Sequence, residues 1–251
     1  MRFAILKAGT AYRGARERLG DFSGMFTALL ARPGQRWDVH DVEHGHFPDR
    51  VEDYSGYVIT GSRASAYDAD PWVTRLLQTI RAIHGRGIPL LGVCFGHQAV
   101  AQALGGRVGP NPKGWDLGVR TLALTPAGDA SPLLRGAPRS LTAFELHGDA
   151  VLAPPDGAVR LAGSTHTEWE MFALGAATLC LQGHPEFDAD VLREAATRLG
   201  GAGAVPPEVV ERALGSLATP VPHGFWRERL GAFLTGGASA TETATRATGI
   251  A

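Results

Sequence analysis

Residues 90–100 read LLGVCFGHQAV and place a cysteine between an apolar run and the start of a small-residue helix. IPLLGV (88–93) has the composition of a buried strand, and the following segment keeps helical spacing to Leu104 before Gly105-Gly106 ends it. Strand, tight turn and helix in that order form one unit of an α/β fold. Gly92-x-Cys94-x-Gly96 also has the spacing of a nucleophile elbow, where small neighbours let a strained bend lift one side chain above the end of a sheet. A cysteine there faces the amide end of a helix, which favours a thiolate. The alternative is that Cys94 is a small core hydrophobe, the common fate of a free cysteine. The elbow alone does not choose between them, because a nucleophile needs a base.

The same alternation extends outward from this unit. RFAIL (2–6), a segment near 37–42, and YVIT (57–60) read as strands. Asp21 is placed to cap a helix carrying Phe22, Met25, Phe26, Leu29 and Leu30 on one face, ended by Pro33-Gly34. Asp70-Pro71 opens another, with Val73, Leu76, Leu77, Ile80 and Ile83 in period. Strands alternating with helices of this length predict a doubly wound, mostly parallel sheet covered on both faces. After Pro110 the texture changes. VRTLALT (119–125), LTAFEL (141–146), VRLAGS (159–164) and the pair flanking Gly175 predict an antiparallel strand extension. From Asp188 onward the chain returns to helical periodicity, LGGAGAVPP (199–207) reads as a linker, and two further helices are predicted near 207–218 and 223–234.

Composition narrows the function classes. The chain has 251 residues, is 44% hydrophobic and has a net charge of −1, so no general charge draws it to nucleic acid or acidic lipid. No run approaches the roughly 18 apolar residues of a membrane span, and the N-terminal apolar run is too short for a signal peptide. Two cysteines cannot make a disulfide scaffold. A cytoplasmic setting with reduced thiols is expected, with neither nucleic acid nor membrane as a partner. His40, His44 and His46 lie in a loop without closing ligands, so no metal site is assigned.

The base is offered by LQGHPEF, residues 181–187. His184 and Glu186 are two apart, so in extended backbone their side chains point the same way, and Pro185 keeps the segment from becoming helical. A carboxylate beside an imidazole fixes its tautomer and favours the imidazolium. Cys94 as nucleophile, His184 as acid/base and Glu186 as orienter make a complete set for acyl transfer.

GVCFGHQ followed ninety residues later by QGHPEF resembles the class I (triad) glutamine amidotransferases. ITGS (59–62), LHGDAV (146–151) and EMF (170–172) fit the same pattern, and the resemblance covers about residues 1–195. It is nearest to the stand-alone type, namely gamma-glutamyl peptidases and bacterial amidotransferase-like proteins. The resemblance implies a flavodoxin-like sheet and an acyl–sulfur intermediate on Cys94. It also implies an oxyanion hole from the backbone N–H groups of Gly61 and Phe95, and glutamyl contacts from Gln98, His147, Gly148 and Asp149. The chain departs from it in three places: Thr60-Gly61-Ser62 replaces the usual Gly-Gly-Pro, a change a backbone donor tolerates, Leu146 stands where relatives often carry Ser or Asn, and Asp116, assigned no role, stands where many have Glu. No cofactor is implied.

The expected organisation is a catalytic domain over 1–199, a helical extension packed on it over 200–235, and a disordered tail over 236–251. The expected activity is hydrolysis of a gamma-glutamyl amide or peptide bond, with a small gamma-glutamyl compound or glutamine as substrate. The alternative is a glutaminase subunit passing ammonia to a separate synthase partner. A non-catalytic binding protein on the same fold is disfavoured by the intact Cys94, His184 and Glu186.

Overall fold

The structure is a computed structural model and describes residues 1–237. Strands β1 (Arg2–Lys7), β2 (Arg36–Asp41), β3 (Gly56–Ile59) and β4 (Leu90–Val93) alternate with helices α1 (Arg13–Leu19), α2 (Phe22–Leu30), α3 (Pro71–Gly85) and α4 (Phe95–Ala103). A strand-rich segment follows: β5 (Arg107–Pro110), β6 (Asp116–Leu124), β7 (Leu141–His147), β8 (Asp149–Ala153), β9 (Val159–Gly163), β10 (Met171–Leu174) and β11 (Thr178–Leu181). It holds one short helix, α5 (Pro126–Ala130). Helices α6 (Ala189–Gly201), α7 (Pro207–Ser216) and α8 (His223–Leu234) come last.

Among the described residues these strands form a nine-stranded sheet in the order β2-β1-β3-β4-β11-β10-β9-β6-β7 and a two-stranded sheet of β5 and β8. Strands β2, β1, β3, β4 and β11 run parallel. The remaining strands extend the sheet antiparallel, as predicted. Every residue of β3, β4 and β11 is buried, which is why GYVI, LLGV and TLCL show no polar alternation. Their side chains divide between the two faces. Leu91 and Val93 join Phe26, Leu30, Trp226 and Phe233 under α2 and α8, while Leu90 joins Ile80, Ile83 and Val100 under α3 and α4. Each such fully buried aliphatic side chain contributes about 1.5–3 kcal/mol.

Local chemistry sets most boundaries. Asp21 accepts from the Phe22 amide at the start of α2, and Asp188 accepts from the Val191 amide at the start of α6. Asp70 makes no such bond, and α3 begins on Pro71 alone. Four elements escape the sequence patterns, the five-residue helix α5 among them. Helix α1 (RGARERL) buries only Ala15, so it has no apolar stripe to read; Glu194 of α6 holds its Gly14 and Ala15 amides at 2.9 and 2.7 Å. Strands β5 and β8 are short and pair only with each other. The predicted linker starts later than expected, because α6 runs on to Gly201.

Of the tail predicted over 236–251, Gly236 and Gly237 close α8 through bonds to Phe233 and Ala232, and the rest lies outside the described residues. Trp226 of α8 is fully buried and its indole donates to the Thr142 carbonyl at 3.0 Å, fixing the C-terminal helices to the sheet. No helix among the described residues is long and apolar enough to cross a membrane.

Gly96 tests the junction between β4 and α4. A Cβ there would overlap the Ile59 carbonyl oxygen of β3, whereas one on Gly85 meets nothing within 4 Å. Gly96→Ala is expected to cost at least about 2 kcal/mol of unfolding free energy, measured by denaturant titration. Gly85→Ala is expected to be neutral or slightly stabilising. Equal effects would show that α4 does not sit this close to β3.

Candidate active site

The parallel strands end on one edge of the sheet, and a cavity of about 340 Å³ opens there. Its lining comes from the segments after β1 (Thr10, Tyr12), after β3 (Gly61 to Ser65), after β4 (Cys94) and after β11 (His184). A ligand crevice at the carboxyl ends of the strands is the general position in open α/β sheets.

Cys94 has φ 53° and ψ −106° and is the only non-glycine residue with positive φ among those described. An L-residue in such backbone costs on the order of 1–3 kcal/mol. The turn is tight enough that a Cβ on Gly92 would approach the Gly96 carbonyl oxygen to 2.6 Å. The glycines of the motif are therefore steric requirements. The Cys94 amide donates to the Leu181 carbonyl at 3.0 Å, tying the elbow to the end of β11.

That tie brings the second motif alongside. The His184 amide donates to the Phe144 carbonyl of β7 at 2.7 Å, and the imidazole stacks on Phe187 with centroids 3.9 Å apart and planes at 7°. Its Nδ1 donates to Glu186 Oε1 at 2.7 Å, which leaves the other ring nitrogen for the Cys94 thiol, the imidazole's second hydrogen-bonding partner. Burial is the largest influence on this histidine and disfavours its charge, but Glu186 and Cys94 together outweigh it and raise its pKa well above the ordinary value. Gly61 packs against the pair: a Cβ there would lie 3.1 Å from His184 Cε1 and 3.9 Å from Cys94 Cβ. Phe95 begins α4, so its amide is among those at the open N-terminus.

The other predicted contacts also converge. Gln98, His147, Gly148 and Asp149 line the cavity with Cys94 and His184, whereas Glu186 and Phe95 sit behind it. Gln98 Nε2 donates to the Asp149 carbonyl at 3.0 Å and to Gln182 Oε1 at 3.1 Å. His147 Nδ1 donates to the same carbonyl at 2.8 Å. The Asp149 carboxylate accepts from Ser65 at 2.6 Å and Tyr67 at 3.2 Å, anchoring the loop after β3. Trp115 lies against Gly148, where a Cβ would come within 3.3 Å of its ring.

Beneath this surface lies a polar layer that the motifs do not reveal: His97, Glu145, Glu170 and Gln182, each fully buried. Burial above all pushes Glu145 and Glu170 well above the usual carboxylate range, Asp116 adding to the effect on Glu145 and Glu145 to that on Glu170. Burial, helped by His147, lowers His97 to about 3. Burial thus favours the uncharged form of each of these three groups. Strand alternation carries one signal for them, since Glu145 shares the face of Ala143 and His147 in LTAFELH.

A thiol, an imidazole and a carboxylate in this order can activate a nucleophile and carry its proton. Comparison with known proteins gives the family. The family described as glutamine amidotransferase class-I matches residues 21–198. The chain belongs to the class I glutamine amidotransferases. Gamma-glutamyl peptidase 3 of Arabidopsis thaliana is 30% identical over 244 residues, covering 94% of this chain and 97% of that protein. A GMP synthase (glutamine-hydrolyzing) of Porphyromonas gingivalis is 29% identical over 169 residues, covering 66% of this chain and 32% of that one. The fold matches the crystal structure of a glutamine amidotransferase from Thermotoga maritima with TM-score 0.73 at 24% identity, over 93% of this chain and 98% of that one. As a class I amidotransferase, the chain keeps the α/β sheet predicted from its sequence, antiparallel strands included.

The electrostatics of His184 can be measured. Its folded pKa lies above the unfolded value of about 6.5. The protonated ring therefore stabilises the fold below that pH, and the contribution is lost as pH rises through the folded value. Glu186→Gln removes the carboxylate charge and is expected to move the His184 imidazole titration, followed by NMR, to lower pH. An unmoved titration would show that Glu186 does not set the charge of this ring.

Proposed function

We propose that the protein is a cysteine hydrolase of gamma-glutamyl amide or peptide bonds, working through a glutamyl thioester on Cys94. The observation that carries this reading is Cys94 and His184 together in the lining of one cavity, with Nδ1 of His184 already committed to Glu186 at 2.7 Å.

In the proposed reaction His184 takes the thiol proton as Cys94 Sγ attacks the gamma-carbonyl carbon. The developing oxyanion is met by the amides of Gly61 and Phe95, the position where preorganised donors contribute most to rate. Collapse breaks the C–N bond, and His184 delivers its proton to the leaving nitrogen. Water then attacks the thioester, His184 accepts its proton, and glutamate departs as the thiol is re-formed. Glu186 keeps the imidazole in the Nδ1–H tautomer and balances its charge throughout. At the glutamyl end, Gln98 has both amide protons committed to Asp149 and Gln182, so its carbonyl oxygen is the atom free to accept from the substrate ammonium. His147, Gly148 and Asp149 complete this wall.

The extent of the similarities favours hydrolysis by the chain itself over ammonia delivery to a synthase. The alignment with a gamma-glutamyl peptidase runs the length of both proteins, whereas that with a GMP synthase spans a third of the larger enzyme.

The deciding assay offers purified protein free glutamine and a panel of gamma-glutamyl peptides, alone and with Cys94→Ala. Peptide turnover well above that of glutamine is expected, falling by at least about 10³-fold in the variant. Turnover of glutamine alone would favour the ammonia-supplying role. Equal turnover by Cys94→Ala would exclude a thioester on this sulfur.

A further inference from the structure

Beyond the thiol and the imidazole, the cavity has two dissimilar walls. Gln98, His147 and Asp149 form the polar one and are bonded to one another. The other is largely apolar, with Phe22, Phe187, Val191 and Leu199, and it carries one arginine, Arg63. This guanidinium stands over the Tyr12 ring at 5.1 Å and has no carboxylate partner among the described residues. Arg198 also approaches the Tyr12 ring, at 5.6 Å, but it is paired with Glu194 at 2.9 Å.

The backbone that presents Arg63 is fixed on both sides. Ser62 Oγ accepts from the Ala64 amide at 3.1 Å, Asp68 accepts from the Ser65 amide at 2.8 Å, and Ser65 is bonded to Asp149. The loop thus turns toward the polar wall at Ser65, while Arg63, two residues beyond Gly61, reaches the other way to Tyr12.

We propose that Arg63, steadied by Tyr12, is a leaving-group subsite that binds a free carboxylate, so that the substrate is a gamma-glutamyl amino acid or short peptide ending close to the scissile bond. This rests on the hydrolase reading above. When an α-amino acid leaves, its carboxylate carbon is two bonds from the departing nitrogen, on the side of the carbonyl away from the glutamyl chain. The apolar wall beside Arg63 then receives that residue's side chain. Ammonia, the leaving group of glutamine, gives Arg63 nothing to bind. An arginine also suits the task because its planar fork matches a carboxylate, and stacking on an aromatic ring lowers the ordering cost.

The test compares gamma-glutamyl-leucine with gamma-glutamyl-leucinamide, which differ only in the terminal carboxylate. Binding is measured calorimetrically on Cys94→Ala protein with Arg63 intact or changed to Ala, and hydrolysis on the thiol-intact pair. The acid is expected to exceed the amide by about tenfold in both readouts, with the ratio falling to near one in Arg63→Ala and partly kept in Arg63→Lys. A ratio insensitive to Arg63, or equal losses on acid and amide, would overturn the subsite; the latter would place Arg63 at the glutamyl end. An Arg63-dependent preference in binding without hydrolysis would uphold the subsite and reject the hydrolase reading. Hydrolysis of both compounds without that preference would do the reverse, and neither binding nor hydrolysis would overturn both.

Discussion

The left-handed backbone at Cys94 is the constraint on which the rest of the site depends. A residue with a Cβ pays for φ 53°, and pays only because its flanks are anchored. Leu90, Leu91 and Val93 are fully buried, at about 1.5–3 kcal/mol each, and outweigh a local strain on the order of 1–3 kcal/mol. The strand before the bend and the helix after it thus impose a conformation the cysteine would not adopt alone. Because β4 lies between β3 and β11, the same bend meets Gly61, from the loop after β3, and His184, from the segment after β11. Sheet order thereby gathers residues more than a hundred positions apart.

Charge in the site is managed by burial. His184 is almost without solvent, which by itself would keep it neutral; Glu186 and Cys94 reverse that outcome. Around it burial biases other ionisable groups toward their uncharged forms, raising Glu145 and Glu170 and lowering His97. Gly183 permits the close approach of Glu145, since a Cβ there would overlap Glu145 Oε1 and come within 2.7 Å of Ala143.

Much of this was legible in the sequence because short-range sterics leave marks. The elbow glycines, the Asp21 cap and the uninterrupted apolar runs of β3 and β4 each report a local requirement. HisProGlu spacing reported the imidazole–carboxylate bond for the same reason. What escaped was tertiary in origin. Helix α1 is held by Glu194 from another helix, so its own residues show no stripe. Glu145 looks like a solvated strand residue until β7 is seen to be buried on that face. Arg63 reads as an ordinary loop cation, and its unpaired position over Tyr12 exists only once the loops after β1 and β3 meet, as Gly9 against Ser62 shows.

The central claim is that Cys94 carries the acyl group. Rapid acid quench of the enzyme during turnover of a gamma-glutamyl peptide, followed by intact-protein and peptide mass spectrometry, tests it most directly. The account predicts a mass gain of one glutamyl group on the peptide containing Cys94. Steady turnover with Cys94 unmodified at every quench time, or the acyl group on another residue, would contradict it.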